Sequence, residues 1–298
     1  MSRLDVASTA WLLLLLAALA AVSGSAARHT EPGAAALRDA SGHELALRPY
    51  HRIASTSLLA DELLLELAEP ERIVAFSGYA KPGHPDHHRL ASRLTLAGPS
   101  DLERMLAARI DLLLASHRGS ESELARARQA GIAVFDLGEL RGLASLKRNA
   151  IAIATLLGDA SRGEQLWQHF ERRMRAVASD IRPERRQRAM FLVSFGGKLF
   201  GGTRGTSYHD VLEAAGLIDI AAERHRDWPQ YDPEQVLELD APWIVTTTGM
   251  RAALCSDAWL GQSQACRNGR VVEIQAALLD DPGLRMLDAA EALRDQVY

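Results

Sequence analysis

The sequence predicts an α/β protein of two lobes joined by one long helix. Three observations carry that prediction. From residue 52 to residue 157, short apolar runs alternate with segments of helical period. A single amphipathic stripe follows, Leu166, Phe170, Met174, Val177 and Ile181, at steps of three and four. The alternation then starts again at residue 189. Composition agrees: of 298 residues, 47% are hydrophobic and 24% charged, which is ordinary for a globular chain of about two domains. A formal net charge of −4 argues against a nucleic-acid partner.

Each element has a local reason. Residues 52–55 read as a strand, and 58–68 as an apolar helix stopped before Pro70. Residues 71–76 read as a second strand, followed by a loop rich in Gly, Pro and His. A short helix is expected over 102–108. The stretch 111–116 is almost purely apolar, as in a strand buried on both faces. A helix over 121–129 ends at Gly131, 133–137 is a strand, and a helix over 143–157 ends at Gly158. Ser161 and Glu164 have capping-box spacing, so the linking helix is expected to start there and to run until Arg182-Pro183. In the second lobe, strands are expected over 189–194, 243–247 and 271–274, with helices over 207–215, 233–239 and 284–297. The lobes are then 52–158 and 187–298, with the bridging helix in 159–186.

The N-terminus reads as a signal peptide over residues 1–27. Arg3 precedes an apolar run from 11 to 22, and Ser25-Ala26-Ala27 supplies small residues for cleavage. The run is too short to span a bilayer. No Cys stands at the exit, so the expectation is export to the periplasm without a lipid anchor. Residues 28–51 read as a leader to the fold. The two cysteines, Cys255 and Cys266, could pair in an oxidising compartment or stay reduced and buried.

Enzyme signatures are sparse. The chain has no G-x-S-x-G, no H-E-x-x-H and no Walker A lysine. Gly201-Gly202-Thr203-Arg204-Gly205 fits no phosphate loop and reads as a turn. The densest chemical cluster is His84-Pro85-Asp86-His87-His88, whose imidazoles suit a transition metal. His117 and Arg118 follow the buried strand, at the carboxyl end where open α/β sheets bind ligands. Tyr79 follows the second strand in the same way. Phe195 and Phe200 flank a glycine pair, and Trp228 and Tyr231 lie in a polar loop. Together these rings could supply contact area for a flat apolar ligand.

Ordered along the chain, several of these pieces resemble the periplasmic substrate-binding proteins of ABC importers for metal chelates, most of all their cobalamin-binding members. They are Ser77-Gly78-Tyr79, Leu102-Glu103-Arg104, Asp111-Leu-Leu-Leu-Ala-Ser-His-Arg-Gly, Trp228-Pro229-Gln230, and Glu234-Gln235-Val236-Leu237 followed by Trp243-Ile-Val. The resemblance implies two Rossmann-like lobes on one bridging helix, the class III periplasmic-binding architecture. It implies a ligand rather than an intrinsic cofactor: a corrinoid, haem or ferric siderophore held between the lobes. Tyr79 and Trp228 match cleft aromatics, and Phe195 or Phe200 a third. His117 stands where cobalamin binders carry Trp. For haem, Tyr79, His84, His87, His88 and His117 are available as axial ligands. Glu103 and Glu234 match the acidic residues that dock onto the permease, which works with its ATPase at the inner membrane. The expected function is therefore a monomeric receptor that makes and breaks no bond. The alternative is an exported metal-dependent hydrolase using His84, His87 and His88.

Overall fold

The computed structural model describes residues 35–80, 82–116, 121–279 and 282–298. The expected signal segment lies outside them. One compact unit spans Leu37–Tyr298 and holds the sheets of both lobes. Two short strands, β1 (Ala36–Arg38) and β2 (Glu44–Ala46), precede the first sheet. That sheet holds β3 (Ile53–Ser55), β4 (Ile73–Ser77), β5 (Leu94–Leu96), β6 (Leu112–Ala115) and β7 (Ala133–Asp136). Their order is β5-β4-β3-β6-β7, and every pairing is parallel. β3 and β6 lie inside the sheet, and all their residues are buried. This explains why 111–116 reads as an unbroken apolar run rather than an alternation.

The leader expectation needs correction. Asp39, Leu45 and Tyr50 are buried. Ala40 N donates to Asp136 O at 3.0 Å, and Asp39 Oδ2 accepts Asp136 N at 3.2 Å. Residues 39–50 thus cover the β7 edge, where unpaired backbone groups would otherwise meet solvent.

The second lobe has a parallel sheet of β8 (Arg188–Phe191), β11 (Ile218–Asp219), β13 (Trp243–Thr247) and β14 (Val271–Ile274), ordered β11-β8-β13-β14. Beside it lies an antiparallel sheet, β12-β10-β9, made of β9 (Val193–Phe195), β10 (Lys198–Phe200) and β12 (Gln230–Tyr231). The strand expected over 189–194 is therefore split. β8 stays in the parallel sheet, and β9 turns back through Gly196 and Gly197, both at positive φ, as a tight hairpin requires. Cys255 and Cys266 are disulfide-bonded, with Cα atoms 5.4 Å apart, and join helix Arg251–Ser256 to helix Gln264–Arg267.

The linking helix runs over Ala160–Ala176, 17 residues or about 25 Å. The Ser161–Glu164 box does not form. Asp159 is the cap instead: its Oδ1 accepts Arg162 N at 3.1 Å and Ser161 Oγ at 2.7 Å. At the other end the chain tightens into i→i−3 turns, Ser179 N to Ala176 O and Ile181 N to Ala178 O. The helix is no isolated strut. It packs along helix Leu143–Leu157, and Gly163 permits the approach: a Cβ there would lie 2.6 Å from Ala154 Cβ and 2.8 Å from Ala150 O. Its inner face, Trp167, Phe170 and Met174, belongs to a core that also takes in Leu59, Ile153, Leu212 and Leu287. One apolar cluster therefore runs through both lobes, beside clusters that belong to each lobe alone.

Candidate functional site

A cavity of about 760 Å³ opens where the carboxyl ends of both sheets meet, within the usual size of small-molecule sites. The first lobe contributes Ser116, which follows β6, and Asp136, Gly138 and Glu139 at the end of β7. Asp136 Oδ1 accepts Gly138 N at 2.8 Å, which fixes this turn. The second lobe contributes Ser207, Tyr208, Trp228, Leu279 and Pro282. Ser207 opens helix Ser207–Ala214, and its hydroxyl donates to Leu279 O at 2.8 Å, so two wall segments are tied together. Tyr208 stacks on Phe191 at the end of β8, with ring centroids 4.1 Å apart.

The glycine stretch 201–205 is a turn, and its first two members have a packing reason. A Cβ on Gly201 would lie 2.5 Å from Tyr231 Cε2, and one on Gly202 would overlap Tyr208 Cδ2. The pair makes room for two rings, one in the cavity wall and one in the core.

The expected binding residues divide accordingly. Trp228 lines the cavity and is 41% exposed. Tyr231 does not line it. It is buried in the second lobe's core, edge-on to His225, where burial pushes its phenol pKa up. Phe200 is half-buried on β10, and Phe195, 79% exposed, stands beside the hairpin turn; both lie outside the cavity lining. Tyr79 also lies outside it, its hydroxyl reaching Ala97 O at 3.4 Å. His117 and Arg118 lie outside the described residues. Sequence reasoning missed Tyr208 and Ser207, because it searched strand ends for rings and passed over a helix start. The signal was the adjacent Gly201-Gly202 pair.

The structure does not gather His84, His87 and His88 into the expected metal cluster. Among the described residues, no group of three or more His, Cys, Asp or Glu is placed to hold an ion. His84 is buried, with Nδ1 accepting Asp86 N at 3.1 Å and Nε2 3.3 Å from Glu62 Oε1. His87 Nδ1 sits 3.0 Å from Ala80 O. Asp86 is held by Arg285 from the second lobe, at 2.8 Å from Nε and 2.5 Å from Nη2. Glu62 Oε2 accepts Arg285 N at 3.3 Å, and burial holds this carboxyl above the usual carboxylate range. The His loop is thus part of a buried polar joint between the lobes.

A second polar joint lies beside the cavity. Asp210 Oδ2 accepts Leu143 N at 2.7 Å, which places a second-lobe carboxylate at the N-terminus of helix Leu143–Leu157. Glu103 and Glu234 are exposed in the first turns of helices Leu102–Ala107 and Pro233–Leu239, one on each lobe.

The sequence pattern of the periplasmic binding protein family matches residues 53–278. The chain is 25% identical over 250 residues to the vitamin B12-binding protein of Vibrio cholerae, across 82% of this chain and 87% of that one. Among solved structures, a possible iron-binding, periplasmic solute-binding protein of Staphylococcus epidermidis superposes with a TM-score of 0.73 at 18% identity, covering 84% of this chain and 100% of the other. A periplasmic heme-binding protein of Pseudomonas aeruginosa gives 0.71 at 24% identity, covering 84% and 93%. At these identities the structural likeness is one of fold. The family match covers most of the chain, both sheets included, and the chain belongs to the periplasmic binding protein family.

Proposed function

We propose that this chain is the substrate-binding component of an ABC importer, working in the periplasm as a monomer. It captures a metal chelate, a corrinoid, haem or ferric siderophore, and delivers it to the permease. The observation that carries this reading is the cavity between the lobes, with Trp228 and Tyr208 on one wall and Ser116, Asp136 and Glu139 on the other. The rings offer flat contact area, and the hydroxyls and carboxylates can take hydrogen bonds from a ligand's polar rim. The relatives named for vitamin B12, heme and iron support a chelate over a sugar or peptide.

Binding needs no chemical step, so the protein releases its ligand unchanged. Glu103 and Glu234 offer one exposed carboxylate per lobe to basic residues of the permease. The test is spectrophotometric titration of the purified protein with cyanocobalamin, haemin and a ferric siderophore. Stoichiometric, saturable binding of one of them is expected. No binding of any would sink the chelate reading. Glu103→Arg with Glu234→Arg should leave that titration unchanged while lowering stimulation of the cognate permease's ATPase.

A further inference from the structure

Arg141 stands at the cavity rim, between β7 and helix Leu143–Leu157. Its Nε donates to Glu139 Oε2 at 2.8 Å, and its Nη1 donates to Asp227 Oδ1 on the second lobe. The same guanidinium lies over the Trp228 ring, 5.1 Å from its centroid, within cation–π range. Its backbone is pinned, because Arg141 N donates to Ser145 Oγ at 2.9 Å. Its side chain is 40% exposed.

Asp227 is held in an unusual way. It is a non-glycine residue at φ +60, a conformation that Asp tolerates better than most residues. Two backbone bonds fix it there: Asp227 N donates to Arg204 O and Thr203 N to Asp227 O, both at 3.0 Å. Gly205 leaves space beside the pair, since a Cβ there would lie 3.1 Å from Asp227 Oδ1. Arg226, next to Asp227 in the chain, and Arg204, whose carbonyl meets Asp227 N, are both exposed. Strain of this kind gathers at ligand clamps and switch segments.

A ring face exposed to the cavity takes one stacking partner at a time. We infer that Arg141 is a placeholder on Trp228, held by Asp227 across the lobes, which a flat ligand must displace to enter. This inference rests on the proposed function for its ligand, but not for its geometry. On displacement Arg141 keeps Glu139, which belongs to its own lobe, so its charge is not stranded. Only the link across the lobes is lost.

The test has two arms. In ligand-free protein, acrylamide quenching isolates Trp228 by comparing each variant with its Trp228→Phe counterpart. Arg141→Ala should make Trp228 more quenchable, and Asp227→Asn should do so to a smaller degree. Unchanged accessibility in both overturns the placeholder, whatever the ligand is. In the second arm, stopped-flow fluorescence follows association of whichever of cyanocobalamin and haemin binds the wild type. Arg141→Ala should associate roughly two- to fivefold faster, the span set by a solvent-exposed ion pair. Slower association, or lost binding, would mean that Arg141 grips the ligand and would overturn the inference. If neither probe binds the wild type, the ligand class in the proposed function fails and the quenching arm still decides the placeholder.

Discussion

The two walls of the cavity are chemically unlike. The second lobe brings rings, Trp228 and Tyr208, and a tied backbone at Leu279. Among the described residues, the first lobe brings no ring: Ser116, Asp136 and Glu139 are its polar members, with Ala40 and Leu140 beside them. Both walls sit at the carboxyl ends of parallel strands, so the fold places them in the same way. The difference comes from the segment after each strand. In the first lobe the chain leaves β7 through a tight turn at Gly138 (φ +73), where even a Cβ would lie 2.6 Å from Ala40 Cβ. In the second lobe an extra antiparallel sheet, β12-β10-β9, carries Trp228 on the segment entering β12. The lesson is that sheet position sets where a ligand can sit, and the insertions after the strands set what it touches.

The sharpest way to break this comparison is to remove the ring. Trp228→Ala should weaken binding of the titrating chelate by at least about thirtyfold, the scale of a hot-spot aromatic. Tyr79→Ala on the first lobe should stay within about twofold. Equal losses in the two titrations would show that the first lobe also binds through a ring, one beyond the cavity lining described above.

Next comes the disulfide, which belongs to the second lobe alone. Cys255→Ser with Cys266→Ser reopens a loop of sequence separation 11 and should cost about 3 kcal/mol in urea unfolding. Ligand titration at a temperature where the variant is folded should be unchanged. A changed affinity would tie the staple to the cavity wall.

Gly202→Ala tests the ring-supporting turn. The added methyl overlaps the Tyr208 ring, and overpacking of this kind costs about 1–3 kcal/mol. Both stability and ligand affinity should fall. A stable variant with normal binding would show that Tyr208 can shift without consequence.

The smallest effects are pH slopes, which differ between the lobes. In the second lobe, His209 Nδ1 is 2.8 Å from Asp219 Oδ2, and that hydrogen bond raises the His209 pKa. Its stabilisation is full below the unfolded value near 6.5 and is lost as pH rises through the higher native value. In the first lobe, Glu62 is raised chiefly by burial. Stability there is greatest below the unfolded value near 4.3 and falls as pH climbs through the raised native one. His209→Gln and Glu62→Gln should each flatten its own window in denaturation at several pH values. A wild-type slope retained in either variant would assign the titration elsewhere.

How much was legible depends on the local code. In the first lobe, most strands and helices were readable to within a residue or two, because the runs are apolar and end at Gly or Pro. Leu112–Ala115, Glu121–Gln129 and Leu143–Leu157 are examples. The antiparallel sheet was not readable, since β10 and β12 have three and two residues and no period. Tyr231 shows the limit within one motif. It lies three residues from Trp228, yet it packs under Gly201 in the core while Trp228 faces the cavity.

By itself, then, the sequence determined the βα alternation, the amphipathic linking helix and the aromatic supply, because periodicity and chain breakers act over a few residues. Only the tertiary structure decided that residues 39–50 cover a sheet edge, that His84 joins Glu62 instead of a metal, and that Arg141 reaches Trp228. Those outcomes depend on groups far apart in the chain, Arg141 and Asp227 across 86 positions and Glu62 and Arg285 across 223. No local pattern encodes such pairings. They arise because one apolar cluster runs through both lobes.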